Sequence, residues 1–209
     1  MIDLSNDIFL NIAITMPRST ANGPGIRAVI WVQGCTIGCP GCYNAFTHPH
    51  KQQTLARPEE LAEWVNEIDR IEGITFSGGE PFEQAEAVAQ AIELVNSNRE
   101  EPLSVFIFTG FDLVDLQSST SPAVHRLLNL VDMLSAGPYV HSELDTTLLW
   151  RGSKNQKLVY LTDRYSSSEE DRWICESPVE ELIMIGNGIQ RTGFAGPRGE
   201  LVKAIEAIE

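Results

Sequence analysis

The chain has 209 residues, 43% of them hydrophobic, enough for one well-cored domain. Twenty-nine acidic residues against 15 basic ones give a formal net charge of -14. Such a field repels phosphate backbones, keeps the protein in solution and makes nucleic acid a poor partner. No apolar run reaches the roughly 20 residues of a membrane-crossing helix. The acidic start Met1–Asp7 lacks the basic opening of a signal peptide. A cytoplasmic protein with reduced thiols is therefore expected.

Residues 7–16 alternate loosely between apolar and polar and read as a first strand. Arg18–Asn22 reads as a loop and Gly23-Pro24-Gly25 as a turn. Ile26–Gln33 is an apolar run of strand length that leads straight into Gly34-Cys35-Thr36-Ile37-Gly38-Cys39-Pro40-Gly41-Cys42-Tyr43-Asn44. A helix starts at Pro58, with Glu59 and Glu60 at the positive end of its dipole and Leu61, Trp64, Val65 and Ile68 on one face. Gly73–Phe76 is a short strand closed by Ser77-Gly78-Gly79-Glu80-Pro81. The next helix carries Ala85, Val88, Ile92 and Val95 on one face. Leu103–Phe108 is a strand closed by Thr109-Gly110-Phe111. A helix follows at 122–130, then a strand at Val131–Leu134 ended by Ser135-Ala136-Gly137-Pro138.

Lys157–Leu161 and Glu181–Ile185 read as later strands, and Ser166–Asp171 as an exposed loop. Gly193–Pro197 reads as a turn into a closing helix with Leu201, Ile205 and Ile208 on one side. Trp31, Trp64 and Trp173 suit a core. Repeated βα units with ligand-type turns after each strand predict an α/β fold. It would be a curved, mostly parallel sheet with outer helices, forming a partial (β/α) barrel. No linker divides the chain and no internal repeat is present, so 1–209 is one domain.

Three of the four cysteines fall in the spacing C-x3-C-x2-C, just past the end of a buried strand. Active sites gather at that end in parallel α/β folds. Three close thiolates can hold a soft metal or a cluster, and three ligands on a four-iron cube leave one iron open for chemistry. A zinc site of the three cysteines with His48 or His50 is the alternative. A disulfide is disfavoured, since three neighbouring cysteines cannot pair evenly. Cys175 reads as a lone thiol. Two glycines in Ser77–Glu80 let backbone approach a ligand, and its carbonyls can accept from an ammonium group. Two basic spots remain as anion sites: Arg27, and the group Arg151, Lys154 and Lys157. Arg151, Ser153 and Asn155 read equally as anion or substrate contacts or as an exposed turn, and His48 and His50 as a solvated loop.

The cysteine loop, following Gly23-Pro24-Gly25-Ile26-Arg27, resembles that of radical S-adenosylmethionine enzymes. The resemblance is closest to the glycyl-radical activating enzymes of anaerobic ribonucleotide reductase. The matching pieces keep the family's order: Gly-Pro-Gly-Ile-Arg, Gly-Cys-x3-Cys-Pro-Gly-Cys-Tyr-Asn, Ser-Gly-Gly-Glu-Pro, Thr-Gly-Phe, and Trp-Arg-Gly-Ser-Lys-Asn-Gln at 150–156. They define a core at 22–156 and a C-terminal extension at 157–209.

The resemblance implies a 4Fe–4S cluster on Cys35, Cys39 and Cys42, with S-adenosylmethionine chelating the open iron. Ser77, Gly78, Gly79 and Glu80 would receive the methionine ammonium. Gly41 and Tyr43 would lie near the adenine, and Ser135 and Gly137 would border the ribose or carboxylate. No catalytic side chain is assigned. An electron from flavodoxin or ferredoxin would drive reductive cleavage to a 5′-deoxyadenosyl radical. That radical would take a hydrogen atom from a glycine of a partner such as anaerobic ribonucleotide reductase.

Two departures stand out. Gly41 precedes the third cysteine, as in the ribonucleotide reductase activases, where many superfamily members carry an aromatic residue, and Ser135–Pro138 lacks the Asp and Lys often found in activases. The other readings are a radical enzyme acting on a peptide or small molecule, and a non-catalytic zinc or iron–sulfur module. A 7-carboxy-7-deazaguanine synthase is a lesser candidate, because its first cysteine spacing is usually longer.

Overall fold

Every residue of β2 (Arg27–Val32) is buried, as a continuous apolar run requires of a strand covered on both faces. β2 is followed in space by β4 (Gly73–Gly78), β5 (Ser104–Thr109) and β6 (Met133–Ala136), all parallel to it. β1 (Leu10–Ser19) pairs antiparallel with the outer side of β2, and β3 (Thr54–Ala56) antiparallel with β1. β7 (Lys157–Tyr160) closes the other edge antiparallel to β6. The seven-stranded sheet has the order β3-β1-β2-β4-β5-β6-β7. The computed structural model describes residues 8–97, 99–178, 180–185 and 188–193.

The sheet is mixed rather than mostly parallel: its centre is parallel and both flanks are antiparallel. The connections explain this. Parallel neighbours need a crossover element, supplied by α1 (Pro58–Asn66), α2 (Ala85–Asn96) and the pair α3 (Leu113–Gln117) and α4 (Pro122–Leu128). No α-helix lies between β1 and β2 or between β6 and β7, so those pairs meet antiparallel.

The helices cover one face. Leu61 and Val65 of α1 and Val88, Ile92 and Val95 of α2 pack with Ala28, Ile30, Ile74, Phe76, Val105 and Ile107. α1 begins as expected, with Pro58 in its first turn and the Glu60 carboxylate accepting from the Arg57 N–H at 2.8 Å.

The opposite, inner face carries Val29 and Trp31 with Met16, and farther along Phe106 and Met133. The latter two are roofed by Leu149, Trp150 and Trp173. Trp173 belongs to α5 (Glu170–Glu176) and is 3% exposed. The exposed loop expected at Ser166–Asp171 is therefore a 3-10 turn, Ser167–Glu169, running into α5. Ser166 and Glu169 form a capping box there, the Ser166 N–H reaching the Glu169 carboxylate at 3.1 Å. β8 (Glu180–Ile185) and β9 (Gly188–Gly193) form a separate antiparallel hairpin. Glu181 docks it by accepting from the Ser19 hydroxyl, the Thr20 N–H at 2.8 Å and the Ala21 N–H at 3.2 Å. The turn at Phe194–Pro197 and the closing helix with Leu201, Ile205 and Ile208 lie outside the described residues.

Candidate functional site

The cysteine loop leaves the end of β2 and folds back on itself. The Gly34 N–H donates to the Thr47 carbonyl at 2.7 Å and the Cys35 N–H to that of His48 at 3.1 Å, closing the loop at its base. Glu83 pins its middle. One carboxylate oxygen accepts from the Thr36 N–H at 2.7 Å, and the other lies 2.9 Å from His50 Nε2. Partial burial pushes the Glu83 carboxyl up, but the Thr36 hydrogen bonds and His50 outweigh it and hold the group below its ordinary range.

The second wall is the turn after β4. The Gly79 N–H donates to the Val32 carbonyl at 2.8 Å and the Glu80 N–H to the Gly34 carbonyl at 2.9 Å. A Cβ on Gly79 would stand 2.1 Å from the Gly34 carbonyl oxygen, so only glycine lets this turn touch the cysteine loop. Glu80 is 1% exposed. Its carboxylate accepts from Phe82 N–H at 3.0 Å, Thr109 Oγ1 at 2.9 Å and Gly110 N–H at 2.9 Å. Burial nonetheless dominates and raises its pKa to about 7. Glu80 is a strut from the β4 turn to the β5 turn.

The third wall comes from the connection between β6 and β7. The Gly137 N–H donates to the Phe111 carbonyl at 3.0 Å, which ties this wall to the β5 turn. Tyr139 meets Tyr43 edge-on, with ring centroids 5.6 Å apart. Gly152 passes between them: a Cβ there would lie 3.0 Å from the Tyr43 ring and 3.1 Å from that of Tyr139. Trp150, at φ 51°, holds a left-handed backbone, and its carbonyl accepts from the Ser135 hydroxyl at 2.7 Å.

Together these walls border a cleft open to solvent on one side. Cys35, Cys39 and Cys42 line it on one side and Ser77–Glu80 on another. Burial raises the pKa of Cys35 and Cys42, leaving neutral thiols until a metal displaces the protons. Among the described residues, no three His, Cys, Asp or Glu side chains converge where one metal ion would sit. A cluster asks something different. Each thiolate binds its own iron, so the sulfurs need to face one space rather than one point. Three soft thiols facing a cleft, beside glycine backbone that admits a ligand, fit such a cluster and a small cofactor next to it.

Comparison with known proteins agrees. The model of the 4Fe-4S single cluster domain matches residues 21–159. The anaerobic ribonucleoside-triphosphate reductase-activating protein of Escherichia coli K12 is 32% identical over 151 residues, which cover 69% of this chain and 95% of that protein. Its counterpart from enterobacteria phage T4 is 31% identical over 151 residues, covering 70% and 92%. This chain belongs to that family of activating proteins. As a member it is a radical S-adenosylmethionine enzyme whose cofactors are a 4Fe–4S cluster and S-adenosylmethionine. The crystal structure of QueE from Escherichia coli is a distant neighbour, at 18% identity and a TM-score of 0.36 over 50% of this chain and 53% of that one.

Within this activating protein, the pocket gathers Cys35, Cys39, Cys42, Tyr43, Ser77, Gly78, Gly79, Glu80 and Gly137. Gly41 and Ser135 do not line it. Gly41 is exposed and backs onto His141, and Ser135 is buried with its hydroxyl given to Trp150. Arg27 is not an anion site. It is fully buried at the opposite end of β2, and all five of its N–H groups are used, on Thr75, Pro24, Ile74 and Ser104. Arg151 faces Glu170 at 3.6 Å. Ser153 is buried and Asn155 half-buried, so that stretch is not an exposed turn. His48 lines the pocket while His50 holds Glu83. Cys175 sits exposed on α5. Sequence reasoning missed Thr109, Gly110, Tyr139, Gly152 and Gln156 as lining residues. Thr109 and Gly110 carried a signal, since they end a parallel strand.

Proposed function

We propose that this enzyme installs a glycyl radical on a partner, an anaerobic ribonucleotide reductase like those for which its relatives are named. Cys35, Cys39 and Cys42 hold the cluster, and S-adenosylmethionine lies beside it against Ser77–Glu80. The reading rests on one observation: the three thiols and that turn face the same pocket. When bound, the two cofactors supply reductive cleavage of the sulfonium to a 5′-deoxyadenosyl radical.

The chain's own residues bind and orient. Gly78 and Gly79 line the pocket, and their backbone carbonyls would accept from the methionine ammonium. Glu80 holds that turn in place through Thr109 and Gly110. Ile37 and Phe108 give the pocket apolar walls that exclude water. On this reading the sheet is a partial (β/α) barrel in one domain, 1–209, with a core at 22–156 and an extension at 157–209. The protein works in the cytoplasm with flavodoxin or ferredoxin as reductant. Among the described residues no helix is long and apolar enough to cross a membrane.

One observation favours a second reading, a peptide or small-molecule substrate. The extension packs Trp173 onto the inner face and docks β8 on Ser19–Ala21, and the Arg191 charge of β9 reaches Tyr43 of the pocket.

The test is anaerobic incubation with reductant, S-adenosylmethionine and the host's anaerobic ribonucleotide reductase, followed by electron paramagnetic resonance. A glycyl doublet is expected, and it should vanish with the brown chromophore in Cys35→Ala, Cys39→Ala or Cys42→Ala but survive in Cys175→Ala. Abundant 5′-deoxyadenosine without any protein radical selects the second reading. Zinc without sulfide in anaerobically purified protein overturns both.

A further inference from the structure

The segment Trp150–Gln156 has no assigned task, yet it holds one wall of the pocket together. Its centre is Gln156, a lining residue. The amide Nε2 donates to the Gly137 carbonyl at 2.9 Å. The amide Oε1 accepts from the Gly152 N–H at 2.8 Å and the Ser153 N–H at 3.3 Å. Gly137 and Gly152 both line the pocket, and they lie on separate passes of the chain. Neighbours reinforce the clasp: Asn155 Nδ2 donates to the Pro138 carbonyl at 2.7 Å, and the Ser153 hydroxyl accepts from the Val140 N–H at 3.1 Å.

Only a carboxamide performs this task. A carboxylate of the same shape lacks the donor that Gly137 requires, and an alkyl chain lacks both halves. The amide carries two N–H groups and one is spent on Gly137. The second has no acceptor among the described residues, and it belongs to a side chain at the pocket surface.

We propose that Gln156 is a positioning residue for the bound cofactor. Its amide clasps Gly137 to Gly152, fixing the wall opposite Ser77–Glu80, and offers its second N–H to an acceptor oxygen of S-adenosylmethionine. This rests on the proposed occupancy of the pocket. Gln156 contributes nothing to the cluster, whose thiols stand on another loop.

The experiment compares wild type, Gln156→Glu and Gln156→Ala after anaerobic reconstitution. Three quantities are read: iron and sulfide content, the S-adenosylmethionine concentration that half-converts the electron paramagnetic resonance signal of the reduced cluster, and the melting temperature without cofactor. Expected are full iron and sulfide, and an apparent dissociation constant raised about tenfold in both variants, the loss typical of one or two hydrogen bonds. Gln156→Glu keeps the side chain's shape but sets a carboxylate oxygen against the Gly137 carbonyl, so both variants should melt below wild type while the cluster still loads fully. A purely structural residue would lower the melting temperature of both variants and leave the half-converting concentration unchanged; that result overturns the proposal. A wild type that holds the cluster but never responds to S-adenosylmethionine overturns the proposed function and this clasp with it.

Discussion

At Glu80, burial and hydrogen bonding pull in opposite directions. Three donors favour the carboxylate, but removal from water favours the acid more and raises the group from 4.5 to about 7. A carboxyl raised on folding contributes stability that is complete below its unfolded value and is lost as the pH rises through its folded value. The cofactor-free protein should therefore lose stability between about pH 5 and pH 8 through this group, and Glu80→Gln should flatten that slope in urea titrations. Parallel slopes would contradict the assignment. Gly79 is constrained by shape instead. In Gly79→Val the new Cβ meets the Gly34 carbonyl, and Gly34 directly precedes Cys35. Overpacking of this kind costs about 1–3 kcal/mol. The expectation is joint loss: iron content and S-adenosylmethionine affinity fall together. Full iron with unchanged affinity would refute it.

Elements were legible wherever a local pattern dictated them. The run Ile26–Gln33, the apolar face of α2 and the proline at the head of α1 all became what their patterns imply. So did the pairing of the cysteine loop with Ser77–Glu80, because both follow neighbouring parallel strands. Elements defined by distant partners were not legible. β3 is three residues long and exists because Asn11 and Leu55 face each other across the edge of β1. Arg27 looked like a free cation, since no local pattern reveals acceptors 47 and 77 positions away. α5 was hidden by a polar opening, although Ser166 and Glu169 spell a cap. Its Trp173 lies tilted against Trp150 with centroids 5.3 Å apart and meets Tyr165 edge-on at 5.6 Å. Trp173→Ala should cost about 3–5 kcal/mol in chemical denaturation. A loss under about 1 kcal/mol, the range of an exposed site, would mean that α5 is not part of the core.

On the scale of the molecule, the ends of the parallel strands divide the labour. The C-terminal ends form the pocket, while the N-terminal ends close around Arg27. That buried guanidinium has consequences for how the chain folds. Its acceptors come from the Gly23-Pro24-Gly25 turn, from β4 and from β5, so no single pair of strands satisfies it. A half-built intermediate with β2 and β4 paired but β5 absent would bury a charge short of two partners, at a cost that late docking removes. Arg27 thus acts as a checkpoint on assembly. It leaves any strand set without β5 two acceptors short, and so ties β2, β4 and β5, the strands behind the cysteine loop, into one unit.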